Sequence, residues 1–152
     1  MPAAETVHAS CVAIGESGIL IRGPSGSGKS TLARQLVSAA GQAGLFAAYV
    51  ADDRTRLQAL HGRLVARPHP DIAGTFEVRG VGILSARHEP GAVVHLVIDL
   101  SSEGPARYPE ETEGATTLCG IAVPRLHLRS GTPCPDLILA WTRQRELTLM
   151  TV

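Results

Sequence analysis

The order of apolar and polar residues predicts short strands that outnumber the helices. Residues 7–14 (VHASCVAI) and 18–22 (GILIR) are β-rich runs separated by a turn, and together they predict a hairpin. A helix is expected after Lys29, because apolar residues recur there at helical spacing: Leu32, Leu36, Val37 and Ala40. Two glycines, Gly41 and Gly44, then predict the end of this helix.

The middle of the chain continues this strand-rich pattern. Residues 45–53 (LFAAYVADD) predict a strand that ends in two acids, and residues 57–67 predict a hairpin that turns at His61 and Gly62. Residues 92–100 (AVVHLVIDL) are the most continuous apolar run and predict a central strand. Several strands are joined by hairpins, so we expect an α/β fold with a mixed sheet.

The last third alternates between polar and apolar segments. Residues 101–117 are polar and predict a surface segment, whereas residues 121–128 (IAVPRLHL) predict a strand. Residues 136–150 predict a terminal helix. Its spacing is expected to place five side chains on roughly one face: Leu137, Ile138, Trp141, Arg145 and Thr148.

Composition narrows the class of protein. The 152 residues suit one domain spanning residues 1–152, and the core must be aliphatic because 44% of residues are apolar but only 3% are aromatic. Fourteen basic residues balance fourteen acidic ones, which argues against nucleic acid or an anionic membrane as partner. Three widely spaced cysteines form no metal-ligand pattern, and we see no leader peptide or spanning segment. We therefore expect a reduced, cytoplasmic location.

Chemistry enters with the stretch LIRGPSGSGKSTL at residues 20–32, which contains the G-x-x-x-x-G-K-[ST] phosphate loop. Its backbone N–H groups and the following helix N-terminus are expected to hold the phosphates of a nucleotide triphosphate. Lys29 should reach the β- and γ-phosphates, and Ser30 should coordinate Mg²⁺. The predicted nucleotide-binding residues are Gly23, Pro24, Ser25, Gly26, Ser27, Gly28, Lys29, Ser30 and Thr31.

Two places in the sequence offer a carboxylate to this loop. Asp99 ends an apolar run, as in a Walker B strand, but it could equally cap a turn. Asp52 and Asp53 end another strand, where α/β sheets keep their ligand crevice. One of this pair could accept a proton from a hydroxyl nucleophile, although the pair could also be only an acidic turn.

Residues 76–84 (FEVRGVGIL) resemble the signature of the bacterial HPr kinase/phosphorylase family. Other segments follow in the family's order: His8 fifteen residues before the loop, GPSGSGKS, ADDR at 51–54, ARYPE at 106–110 and VPRLHLRSG at 123–131. The resemblance covers nearly the whole chain and corresponds to the catalytic C-terminal domain of full-length members. It implies a phosphate-loop fold similar to the nucleotide-binding half of phosphoenolpyruvate carboxykinase, with a mixed sheet and flanking helices.

The resemblance also implies a reaction and a role for each matched residue. Members transfer phosphate from ATP to a serine of the phosphocarrier protein HPr, and many reverse this by phosphorolysis. Asp53 would be the acid/base, tuned by His8. Lys29 would clamp the transferring phosphate, and Arg107 would contact the phosphates or the incoming serine. Ser30 and Glu77 would bind Mg²⁺, and Arg79 would either join the site or hold an acid in a structural ion pair.

Differences from the family refine these expectations. Thr31 stands where many members have Glu, and the loop after Arg129 lacks the second Arg and the Asn that many members use for phosphorolysis. We therefore expect the kinase direction to be favoured over the reverse reaction. The resemblance implies a homo-oligomer, since full-length members are hexameric. The alternatives are a small-molecule phosphate-loop kinase, or a non-catalytic ATP sensor that signals through a partner.

Overall fold

In the described part of the chain, a nine-stranded mixed sheet, a separate two-stranded sheet and two helices make up the fold. The structure is a computed structural model, and it describes residues 4–70, 75–78, 82–85, 87–103, 114–131 and 135–150. The strands are β1 (Glu5–Val7), β2 (Ala9–Ile14), β3 (Ser17–Arg22), β4 (Ala47–Ala51), β5 (Thr55–Leu60), β6 (Arg63–Pro68), β7 (Thr75–Val78), β8 (Gly82–Ser85), β9 (Ala92–Ser101), β10 (Ala115–Leu118) and β11 (Ile121–Arg129). The helices are α1 (Lys29–Gln42) and α2 (Pro135–Met150).

Strand β9 is the centre of the sheet, as its long apolar run predicts. Within the described residues the strand order is β1-β5-β6-β9-β3-β2-β4, with β11 also paired to β9 and β10 to β11. Strands β3 and β11 run parallel to β9, whereas β2 is antiparallel to both β3 and β4. The parallel strands end at one edge of the sheet, and the phosphate loop leaves β3 at this edge.

The two faces of the sheet bury separate aliphatic clusters. One cluster packs α1 and α2 against the sheet and includes Leu32, Leu36, Leu96 and Ile138. The other lies on the opposite side of β9 and includes Leu57, Leu64 and Val97. Alternate residues of a strand point to opposite faces, so Ile98 belongs to the first cluster and Val97 to the second. Most members of both clusters are aliphatic, as the composition requires.

Most predicted elements are confirmed. Strands β2 and β3 form the first hairpin, and β5 and β6 form a second one around His61 and Gly62. Strands β7 and β8 are also paired antiparallel, with Val78 opposite Gly82. The α/β class with a mixed sheet is confirmed as well, while the assignment of residues 1–152 to one domain stays a prediction.

One detail of the sequence-based prediction was wrong, and another was incomplete. The helical spacing predicted that Leu137 and Ile138 share a face, but Leu137 is 57% exposed, while Ile138 and Leu139 are buried. Apolar residues occupy five consecutive positions at 137–141, so spacing alone does not fix which side faces the core. In addition, the predicted surface segment at 101–117 gave no strand, whereas β10 begins within it at Ala115 and pairs with β11 across the turn at Cys119 and Gly120.

Candidate active site

The phosphate loop connects the end of β3 to the first residue of α1. Gly26 and Gly28 have φ angles of 81° and 99°, which favour glycine because a Cβ would be strained there. Gly28 is the N-cap residue and makes no side-chain capping bond. No side chain of the N-cap residue therefore occupies the first N–H groups of α1, which can donate to an anion. The helix dipole adds partial positive charge at the same place.

Lys29 is folded over this loop. Its Nζ donates hydrogen bonds to the carbonyl oxygens of Gly23 at 2.9 Å and Pro24 at 3.1 Å. The amide of Ser27 donates to the same Pro24 oxygen at 3.0 Å. Lys29 is only 6% exposed, so its ammonium group is buried against the loop. The sequence-predicted cation is thus at the place where a phosphate would bind.

The acid pair meets the loop through Asp52. Ser30 Oγ donates a 2.6 Å hydrogen bond to Asp52 Oδ1, and this contact joins the first turn of α1 to the end of β4. The same carboxylate oxygen accepts a second hydrogen bond, at 2.9 Å, from the hydroxyl of Ser10 in β2. Sequence reasoning gave the metal-binding role to Ser30 and Glu77 and missed Asp52 as the acid that contacts the loop hydroxyl.

Asp53 and His8 form the outer part of the site. His8 Nε2 and Asp53 Oδ1 are in hydrogen-bonding contact, with 52% and 63% of the two side chains exposed. Asp53 has a φ of 65°, a left-handed conformation that Asp adopts more readily than most residues. The turn directs adjacent carboxylates to different partners, Asp52 to the loop serine and Asp53 to His8. The predicted proximity of His8 to Asp53 is therefore present, and solvent or another protein can reach both side chains.

Asp99 has a different environment from the one expected of a Walker B aspartate. It accepts hydrogen bonds from Arg22 Nε at 2.7 Å and Arg22 Nη2 at 2.8 Å, and another from Arg125 Nε. It lies within β9 on the face opposite α1, since its neighbours Ile98 and Leu100 pack with α1. Burial by itself raises the pKa of Asp99, but the hydrogen bonds and charges of Arg22 and Arg125 outweigh it and lower the pKa. We call Arg22, Asp99 and Arg125 the arginine–aspartate cluster.

Three residues taken from the family signature are only partly covered by the structure. Arg79 and Arg107 lie outside the described residues. Glu77 is in β7, where it pairs with Ile83 of β8, and its side chain is likewise outside the described part. Their roles stay predictions. The structure does bring together Lys29, Ser30 and the acid pair, which the sequence placed about twenty residues apart.

A glycine loop between a strand and a helix, faced by adjacent aspartates, puts the chain in the class of phosphate-loop α/β proteins. Residues 1–129 match the HPr Serine kinase C-terminal domain, and the chain belongs to that family. The match covers the loop, the acid pair and His8, so the resemblance predicted from the sequence motifs is confirmed.

Individual relatives agree with this membership. The chain is 30% identical over 137 residues to the HPr kinase/phosphorylase of Xylella fastidiosa strain M12, covering 81% of this chain and 42% of that protein. It is 34% identical over 106 residues to the HPr kinase/phosphorylase of Mycoplasma mycoides, covering 65% of this chain and 32% of the relative. It therefore spans about a third to two fifths of the length of these curated relatives.

A solved structure matches over almost the full length of both chains. The Hpr(Ser) kinase/phosphatase from Coxiella burnetii superposes with a TM-score of 0.72 and 25% identity, covering 96% of this chain and 99% of that one. The likeness extends beyond the phosphate loop to the sheet and both helices. In the described part of this chain, neither helix has the length and apolar character needed to cross a membrane.

Proposed function

We propose that the protein is an ATP-dependent protein-serine kinase that phosphorylates a serine of HPr. The observation that carries this proposal is the link from the phosphate loop to the acid pair, in which Ser30 contacts Asp52 while the next residue, Asp53, contacts His8. The backbone turn at Asp52 and Asp53 thus connects the phosphate loop, where ATP is expected to bind, to the exposed carboxylate of Asp53. The names of the relatives supply the acceptor, HPr.

In the proposed reaction the seryl oxygen of HPr forms a bond to the γ-phosphorus of ATP. The bond from that phosphorus to the bridging oxygen breaks, ADP leaves, and the serine proton passes to the Asp53 carboxylate. His8, in contact with the same carboxylate, orients it towards the acceptor and is placed to exchange the proton with water. Lys29, already at the loop, neutralises charge on the transferring phosphate.

The residues present fit a magnesium ion bound together with ATP. Within the described side chains, no group of three His, Cys, Asp or Glu residues is arranged to hold a metal alone. Mg²⁺ commonly uses one or two protein ligands and completes its shell with phosphates and water. Ser30 and Asp52, joined by their 2.6 Å hydrogen bond, suit this role, with Glu77 as a further ligand. The ion would supply positive charge that neutralises the phosphates.

We extend the proposal to the setting of the enzyme. Phosphorolysis of phosphorylated HPr is a second activity that the relatives' name, HPr kinase/phosphorylase, supports. The divergent loop after Arg129 favours the kinase direction over this reverse reaction. We propose a homo-oligomer, as in the hexamers of full-length members, and a cytoplasmic location, where HPr and ATP would both be available.

The test is transfer of labelled γ-phosphate from ATP to HPr with magnesium present. Asp53→Asn keeps the side-chain shape and tolerates the left-handed backbone, so it removes only the proton acceptor. We expect it to lower kcat by at least about 100-fold with little change in ATP affinity. Asp136→Asn, at an exposed aspartate of α2, is the matched control and should retain wild-type activity.

Each alternative gives a different result in this assay. A small-molecule kinase would consume ATP only when the low-molecular-weight acceptor is supplied, and HPr would stay unlabelled. A non-catalytic sensor would bind ATP but transfer no phosphate to any acceptor. Labelling of HPr that persists at the wild-type rate in Asp53→Asn would contradict the assignment of the acid/base.

A further inference from the structure

A buried hydroxyl lies between the two aspartates of the site. Ser10 is the second residue of the apolar strand β2 and is fully buried. Its Oγ donates to Asp52 Oδ1 at 2.9 Å and accepts a hydrogen bond from the backbone N–H of Asp53 at 3.3 Å. The hydroxyl of Ser10 therefore bonds both aspartates, as donor to the first and as acceptor from the second.

These two hydrogen bonds hold the backbone turn that contains Asp52 and Asp53. Asp53 has a φ of 65°, and the amide of Arg54 donates to the Asp52 carbonyl at 2.7 Å within the same turn. Ser10 thus binds both the backbone amide of Asp53 and the side-chain carboxylate of Asp52. The carboxylate is also held by Ser30, so its Oδ1 is clamped between β2 and the phosphate loop.

The chain also contains a comparison residue with the same burial and no such contacts. Ser17 begins β3 in the same hairpin and is fully buried like Ser10. Its hydroxyl has no hydrogen-bond partner among the described residues. Burial of a serine in this hairpin therefore does not by itself lead to contact with the acid pair, and the contacts of Ser10 are specific to its position.

We infer that Ser10 is a positioning residue that holds Asp52 against the phosphate loop and fixes the turn that aims Asp53 at the acceptor. This inference rests on the proposed function, and it adds a residue that belongs neither to the phosphate loop nor to the acid pair. Ser10 is fully buried, and its hydroxyl is bonded to the Asp52 carboxylate and the Asp53 amide. Ser10 would act through the two aspartates: Asp52 would bind magnesium together with the nucleotide, and Asp53 would accept the serine proton.

The test compares Ser10→Ala and Ser10→Cys with Ser17→Ala. Cysteine keeps the volume of the side chain but is a poor donor, so it separates the loss of hydrogen bonds from the creation of a cavity. For both Ser10 variants we expect kcat for HPr phosphorylation to fall about five- to tenfold, as for loss of an oriented hydrogen bond. The KM for HPr should stay within twofold of the wild-type value.

A second readout does not depend on phosphate transfer. The affinity for the fluorescent analogue mant-ATP is measured across a magnesium titration. In the Ser10 variants, half-saturation should need several-fold more magnesium, because Asp52 has lost one of its two hydroxyl donors. Ser17→Ala should match the wild type in both readouts, and thermal melting confirms that all variants are folded.

The possible outcomes separate this inference from the proposed function. If wild-type protein transfers no phosphate to HPr, the proposed function fails, and the magnesium titration still decides the role of Ser10. The inference is overturned if Ser10→Ala retains wild-type kcat and magnesium dependence. It is also overturned if Ser17→Ala shows equal losses, or if Ser10→Cys behaves as wild type while Ser10→Ala does not.

Discussion

The arginine–aspartate cluster predicts a large and pH-dependent loss of stability in Asp99→Asn. The asparagine keeps the shape of the side chain but removes the charge that two arginines share. The Asp99 side chain is 17% exposed, and those of Arg22 and Arg125 are 27% and 21% exposed. Removing the carboxylate charge would leave two half-buried guanidinium groups that repel each other without a counter-ion.

The magnitude follows from this partial burial. Breaking a fully buried ion pair by removing one partner costs about 3–5 kcal/mol, because the other charge is left unpaired. Here the arginines reach solvent with part of their side chains, and Asn can still accept one hydrogen bond, so we expect a loss of about 2–3 kcal/mol. For a chain of this length, that corresponds to a fall in Tm of about 4–12 °C.

The pH dependence gives the sign of the effect. Because the arginines lower the folded-state pKa of Asp99, the cluster stabilises the native state fully above the unfolded-state pKa of about 3.9. This contribution disappears as the pH falls through the lowered folded-state pKa. The difference between wild type and Asp99→Asn should therefore be constant near neutral pH and should shrink progressively below about pH 4.

Urea denaturation followed by circular dichroism, at neutral pH and at intervals down to pH 2, measures this difference. Asp136→Asn serves as a control: its exposed carboxylate lies in the first turn of α2 and interacts with the helix dipole, so the difference at neutral pH should stay below about 1 kcal/mol. A loss below about 0.5 kcal/mol for Asp99→Asn at pH 7 would refute the reasoning. So would a loss that stays the same size down to pH 2, because it would then not depend on the ionised carboxylate.

Three further predictions concern other parts of the sheet. Gly18→Ala should destabilise the protein by about 1–3 kcal/mol in urea denaturation, because the added Cβ would lie 2.6 Å from the backbone carbonyl oxygen of Val93. Arg67→Glu should raise the free energy of unfolding by about 0.5–1 kcal/mol, because Arg56 lies directly opposite on β5 and a like-charge pair becomes an opposite-charge pair; no gain in Tm would contradict this. Burial raises the pKa of the Cys11 thiol to about 12, so iodoacetamide at pH 8 should label Cys11 only after unfolding, as followed by peptide mass spectrometry.

Much of the fold could be predicted because local signals agree with tertiary structure. The β2–β3 hairpin, the phosphate loop and α1 follow one another with turn residues and apolar spacing that fit only strand, loop and helix. Strand β9 was identified because a strand that is flanked on both edges and covered on both faces has a near-continuous apolar sequence. Lys29 and Ser30 were found because the loop motif fixes their spacing.

The sequence could not predict which aspartate of the acid pair contacts the phosphate loop and which contacts His8. Pairing between β2 and β4 is irregular just before the acids, since Cys11 pairs with Ala51 but Val12 pairs with Tyr49. A β-bulge of this kind interrupts the alternation from which side-chain direction is inferred, and bulges often re-aim residues beside active sites. Sequence reasoning therefore identified the pair but gave no contact between Asp52 and Ser30.

The hydrogen-bond partners of Ser10 and Asp99 could not be predicted for another reason. Each is a single polar residue in or near an apolar run, and its partners lie in strands that are distant in sequence. Ser10 meets Asp52 across 42 positions, and Asp99 meets Arg22 across 77. The pairing of β2 with β4 brings Ser10 to Asp52, and the pairing of β3 with β9 brings Arg22 to Asp99. Register of this kind comes from the assembled sheet.

The bonds of Lys29 to its own loop have a consequence for how nucleotide would be bound. Lys29 Nζ donates to the carbonyls of Gly23 and Pro24, and the Ser27 amide donates to the Pro24 carbonyl, so three protein hydrogen bonds restrict the loop conformation. Contacts of this kind are formed within the protein, so the conformational entropy that they remove is a cost of folding. Lys29 is therefore expected to rigidify the loop as well as attract phosphate, and its removal should accelerate hydrogen exchange at the Ser27 amide.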